Sequence, residues 1–161
     1  AAGGCQEGGE MRFQQIKDLM LYLEELHHRQ GHIYGRQIPR VDAERSRMLL
    51  AYLQGREDAA AAHLHDYREQ MGSAVKETWL DQGFGEDLLA EGDRLALPAT
   101  TQPAEIVALV SRQEERLIGE LERLARECPT PDTAALLKAL ASMAQSRLTR
   151  LVHGAHRLDD L

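Results

Sequence analysis

Apolar residues recur at intervals of three and four along this chain, in long stretches separated by glycine and proline. Phe13, Ile16, Met20, Leu23 and His27 form the first stripe, widened by Leu19 and Leu26, and predict a helix from about Met11 to Tyr34. Gly35 offers a left-handed stop and Pro39 opposes continuation, which places a turn in the segment GRQIPRV and makes Asp42 the next N-cap. Leu49, Leu53, Ala60, Leu64, Tyr67 and Met71 make the second stripe, which weakens at Gly72 and Ser73. A third helix begins near Pro103, carries Ile106, Val110, Leu117, Leu121 and Leu124 on one face, and ends by Cys128. The link PTPD supplies Thr130 as a cap and Pro131 in the first turn of a fourth helix. That helix runs to about Leu158 through Leu137, Leu140, Met143, Leu148, Leu151 and Val152.

Between residues 72 and 102 the periodicity breaks into short pieces punctuated by Gly83, Gly85, Gly92 and Pro98. A connection of that length far exceeds the usual helix-to-helix link. It suffices to return along a whole bundle, with Trp79 and Phe84 covering one end of the core. The expected fold is all-α: a four-helix bundle of two antiparallel helical hairpins joined by a long crossover. Nothing alternates as a β-strand would. The stretch Ala59 to Ala62 presents almost no side-chain volume, which reads as a place where a neighbouring helix approaches closely, or as room over Glu57.

Composition narrows the function classes. The chain has 161 residues, enough for one domain, expected over 11–161, and aromatic residues make up only 4% of it. Residues 1–10, AAGGCQEGGE, read as a disordered tail or a cloning remnant. The formal charge of −7 is spread among intermixed arginines, which argues against nucleic acid as a partner. Cys5 and Cys128 give neither a disulfide framework nor a zinc spacing and read as two free thiols. No apolar run reaches the roughly 20 residues that cross a bilayer, and no secretory leader pattern is present, so the expected location is cytoplasmic and off the membrane.

Chemistry concentrates where carboxylates interrupt the apolar helices. With the first turn centred near Pro39, Glu24 lies level with Gln54, one turn from Glu57. If the crossover makes the third helix parallel to the second, Gln54 lies level with Glu114, and a second turn near Thr130 brings Gln145 to the same height. Glu24, Glu57, Glu114 and Gln145 then form one rough layer. His28, three residues from Glu25 and four from Glu24, adds an imidazole that reaches the same side.

In helix lengths, crossover and this layer, and in the segments LEELHHRQGHIYG and ETWLDQG, the chain resembles the ferritin-like superfamily, nearest to an uncharacterised bacterial branch. The resemblance implies a di-metal centre built from one Glu on each of two helices and a Glu-x-x-His pair on each of the other two. Glu24 and Glu114 match the single carboxylates and Glu57 the first member of a pair. Ala60, Gln145 and Leu148 stand where His, Glu and His are expected. A hemerythrin-like alternative uses His65 and Glu69 with His153, His156 and Asp159, but the third helix contributes no histidine to it.

The expectation is therefore a ferritin-like bundle with an incomplete metal site, a homodimer acting in protein interaction or regulation rather than in catalysis. The rival is a metal-dependent oxidoreductase or metal-storage protein holding iron or manganese on Glu24, His28, Glu57 and Glu114. At most one weakly bound iron, manganese or zinc ion is expected there.

Overall fold

The computed structural model describes residues 13–80, 82–128 and 130–159; the expected tail, Cys5 and the start at Met11 lie outside them. Helix α1 spans Ile16–Gln37 and α2 spans Glu44–Gln70. Short α3 (Ser73–Lys76) and α4 (Leu88–Gly92) lie on the crossover. Long α5 (Pro103–Glu127) and α6 (Pro131–Asp159) follow. Among the described residues there is no strand; an isolated bridge joins Gln15 to Trp79.

The N-termini of α1 and α5 close on themselves. Asp18 accepts from the Gln15 backbone N–H at 2.9 Å, and Glu105 does the same for Gln102 at 3.3 Å, each satisfying one donor a helix start leaves unpaired. Gly35 does not end α1 as expected; the helix runs through it to Gln37 and tightens into a 3₁₀ turn at Ile38–Arg40. Pro39 explains the change, because its fixed φ suits the start of that turn while its missing N–H prevents further α-helix. Asp42 is likewise not the cap. Ala43 holds that position, and the Asp42 N–H instead donates to the Ala99 carbonyl at 2.9 Å, tying the turn to the crossover.

The crossover runs the length of α1. It starts beside the N-terminus of α1, where the Ile16 N–H donates to Thr78 and the Leu80 N–H to Gln14. Phe84 packs edge-on against Phe13 and Tyr22, and the Tyr22 hydroxyl donates to Asp87 at 2.9 Å while accepting from the Leu88 N–H. At the far end Gln37 holds both the Leu95 carbonyl and the Leu97 N–H, and the Ser46 hydroxyl donates to Thr101 at 2.7 Å. This path returns the chain to the end where α2 began. Helix α5 therefore runs parallel to α2, with α1 and α6 antiparallel to their partners.

Of the two aromatic residues expected to cover one end of the core, only Phe84 does so, beside the start of α1: it is fully buried, whereas Trp79 is 67% exposed. Trp79 sits on the bridge to Gln15 with its side chain in solvent.

The predicted stripes on α1 and α5 are buried throughout. The core nevertheless falls into separate apolar clusters. One surrounds Ile16, Met20, Phe84, Leu121 and Leu137; the other surrounds Leu49, Leu53, Ile106, Val110 and Leu151. Between them lie His27, Glu57 and Glu114, all buried and all polar.

The close helix approach is made by glycine rather than by the alanine run. A Cβ on Gly31 would lie 3.3 Å from the Glu57 Cβ and 3.5 Å from the Gln54 carbonyl oxygen, so α1 meets α2 there. Of the alanines only Ala60 and Ala61 are buried.

Candidate functional site: a buried ionic layer

Each charged member of the central layer sits on an apolar stripe. Glu57 lies four residues after Leu53 and three before Ala60, and Glu114 lies four after Val110 and three before Leu117. Helical spacing therefore carries both carboxylates inward with their neighbours. His27 holds the same phase on α1, four residues after Leu23, and Arg147 holds it on α6, four before Leu151.

Glu57 Oε2 is 2.5 Å from His27 Nδ1. On the opposite edge of the imidazole, Nε2 is 3.2 Å from Arg147 Nη1. A guanidinium only donates, so Nε2 accepts and the imidazole proton resides on Nδ1, pointing at Glu57. The Nη2 group of Arg147 donates to both oxygens of Glu114, at 3.0 and 2.9 Å. Arg56 approaches the same carboxylate, its Nη2 3.6 Å from Oε1, with only 9% of its side chain exposed. The result is a chain of contacts from Glu57 through His27 and Arg147 to Glu114, with Arg56 alongside. Two carboxylates face two guanidiniums across an imidazole.

The electrostatics follow from that arrangement. Burial, the largest influence on Glu57, pushes its carboxyl up, but the hydrogen bond and the charge interaction with His27, followed by the charges of Arg147 and Arg56, outweigh it and hold the group below its ordinary range. Tyr34 donates to Gln113 Oε1 at 3.2 Å. Its phenol is raised well above its usual value by burial first, and then by the negative charges of Glu57 and Glu114. Four buried atoms have no hydrogen-bond partner among the described residues: Glu57 Oε1, Arg56 Nη1 and Nη2, and Arg147 Nε.

The residues singled out from sequence are only partly brought together. Glu57 and Glu114 share the layer. Glu24 does not join them: its oxygens take Arg68 Nε at 2.6 Å and Nη2 at 3.3 Å, with His65 Nδ1 at 3.1 Å, in a separate cluster at the solvent edge. Burial raises the Glu24 carboxyl, and Arg68 and His65 more than offset it, leaving it below the ordinary range. His28 is exposed, and its neighbour His27 is the buried imidazole.

The cause is register. With His27 opposite Glu57 and Gly31 over Gln54, the hairpin is centred near Asp42 instead of Pro39. That moves the level opposite Glu24 by about six residues, nearly two helical turns.

On α6 the height was near and the face wrong. Gln145 is exposed, Leu148 packs with Ile118 and Ala144, and the inward side chain at this level is Arg147. Of the hemerythrin-like set, His65, Glu69, His153 and His156 are all exposed, and the Asp159 side chain lies outside the described residues. Among the described residues no group of three or more His, Cys, Asp or Glu side chains converges as a metal site would require. No helix among them is long and apolar enough to cross a membrane.

Comparison with solved structures finds this architecture in a protein from Thermotoga maritima described as a ferritin-like diiron-carboxylate protein. The TM-score is 0.54 and the identity 14%, over 93% of this chain and 98% of that one. The fold is accordingly a ferritin-like all-α helical bundle. No family model matches the sequence, and no curated protein matches it either.

Proposed function

We propose that this protein is a ferritin-like bundle whose buried carboxylates are neutralised by its own arginines in place of metal ions, and that it acts by binding other molecules rather than by redox catalysis. The observation that carries the reading is the placement of Arg147, whose guanidinium donates to both oxygens of Glu114 and to Nε2 of His27. Those are the lone pairs a metal ion would use.

The donor set does not fit a two-metal centre. Such a centre in a bundle of this kind takes four carboxylates and two imidazoles. Here the layer offers two carboxylates and one imidazole, with Ala60 three residues after Glu57. A cation entering between Glu57 and Glu114 would also meet two guanidiniums of like charge.

The rival reading, a metal-dependent oxidoreductase or storage protein, is favoured by the description of the Thermotoga protein as a diiron-carboxylate protein. Iron counting decides between them. Protein loaded anaerobically with ferrous iron and freed of excess is expected to retain less than one equivalent per chain. Two retained equivalents, lost together in Glu57→Ala, overturn the proposal.

Interaction through a second copy belongs to the same proposal. Leu21, Met48, Val75 and Trp79 are exposed apolar residues, and homodimerisation gives such surface a use. Light scattering at micromolar concentration is expected to report a dimer; a monomer refutes that part.

A further inference from the structure

The alanine run opens a groove. Helix α1 packs along α2, and α5 along α6, and a cleft of about 570 Å³ lies between α2 and α6. That is within the roughly 300–1,000 Å³ of small-molecule sites. Arg56, His63, Arg147 and Arg150 line it, with Ser142 and Ser146. Among the described residues no carboxylate lines it.

The groove is chemically polarised along its length. Because α2 and α6 run antiparallel, Tyr52 and Arg56 lie level with Arg147 and Arg150, while Leu64 lies level with Ser142 and Met143. The arginines therefore gather at one end, while the other carries Ala60, Leu64 and Met143 with His63 and Ser142 beside them. From Tyr52 to Leu64 the helix rises about 18 Å, which sets the length available to a ligand.

Charge counting defines the ligand's head. Arg56 and Arg147 balance Glu57 and Glu114 beneath the floor of the groove, and Arg150, which makes no ion pair among the described residues, leaves one positive charge over. The donors are also incomplete. Arg56, more than nine-tenths buried, has both Nη groups without a hydrogen-bond acceptor, and Arg147 has its Nε in the same state. A guanidinium fork matches a carboxylate better than it matches any neutral group.

We infer that this groove binds a medium-chain aliphatic carboxylate, with the head at Arg56, Arg147 and Arg150 and the chain lying along Ala60, Leu64 and Met143. One negative charge completes the balance, and the narrow alanine side gives the chain its room. The inference rests on the reading that arginines, and not metal ions, neutralise Glu57 and Glu114. The two fail differently: two iron atoms per chain defeat that reading, whereas an iron-free protein that ignores the carboxylate defeats only the groove.

The test is calorimetric titration of the full chain with octanoate, beside acetate, octanol and inorganic phosphate. Octanoate is expected to bind one per chain with a submillimolar Kd. Acetate, which lacks the chain, and octanol, which lacks the charge, are expected to bind at least tenfold more weakly. Arg150→Gln, at an exposed position outside the buried layer, is expected to weaken octanoate at least tenfold without changing the melting temperature. Ser146→Trp, also exposed, is expected to block the groove. Saturation by phosphate or acetate as tight as by octanoate overturns the proposal, because the apolar end then plays no part. Absence of saturable octanoate binding, or binding indifferent to both substitutions, overturns it as well, including the case in which a second copy of the chain covers the groove.

Discussion

Removing the carboxylate of Glu114 strikes the ionic layer at its most connected point. The side chain is 4% exposed, both oxygens accept from Arg147, and Arg56 stands 3.6 Å from one of them. Glu114→Gln leaves two guanidiniums facing Glu57 alone. Breaking one side of a buried pair in this way costs about 3–5 kcal/mol, most of it the penalty of an uncompensated charge. With a urea m-value of about 2 kcal/mol/M, the unfolding midpoint falls by about 1.5–2.5 M. Arg147→Leu has a similar effect, since Glu114 then keeps only the longer contact to Arg56. The double variant Glu114→Gln with Arg147→Leu removes one charge of each sign, so Arg56 again balances Glu57. Its stability is expected to recover to within about 2 kcal/mol of the parent, the residual loss reflecting the donor removed from His27 Nε2. Urea unfolding of the four proteins, followed by circular dichroism at pH 7, reads the cycle directly. A loss below about 1 kcal/mol for Glu114→Gln, or losses that simply add in the double variant, would refute the argument. Additivity would mean that something other than Arg147 compensates Glu114.

Acid provides a second test: Glu57 and Glu24 both have folded-state pKa values below their unfolded ones, so the stability they add is present above the unfolded value of about 4.3 and is lost as pH falls through the folded values. The urea midpoint should hold near neutrality and decline below about pH 4.5; an equal midpoint at pH 3 and pH 6 contradicts it. On the crossover, Phe84→Ala should cost about 3–5 kcal/mol because the ring is fully buried between Phe13 and Tyr22. Trp79→Ala, at a mostly exposed side chain, should change stability by less than about 0.5 kcal/mol. Thermal melts that rank the two in the opposite order would show that the end of the bundle is covered differently.

Local periodicity accounts for most of what was legible in the chain. Apolar spacing fixed four long helices and which face of α1 and α5 turns inward, and the length of the segment between Gly72 and Gln102 implied a return along the bundle. The burial of Glu57 and Glu114 was legible too, since each interrupts an apolar stripe without leaving its phase. Arg56 and Arg147 gave the same signal, three residues after Leu53 and four before Leu151. An arginine in that position ordinarily buries its stem and carries its charge to water, so spacing alone did not mark either as a core cation.

The tertiary structure decided who faces whom. Levels across a hairpin depend on where the chain reverses, and a displacement of three residues, from Pro39 to Asp42, separates Glu24 from Glu57 and sends it to Arg68. His27 already held the phase of the apolar stripe, four residues after Leu23, but only the packed bundle sets its partners Glu57 and Arg147. Whether two buried carboxylates need metal ions or are served by guanidiniums is a property of four helices at once. Coulomb energy depends on distances between side chains remote in sequence, and only the packed bundle brings Arg147 of α6 within 3.0 Å of Glu114 on α5 and 3.2 Å of His27 on α1.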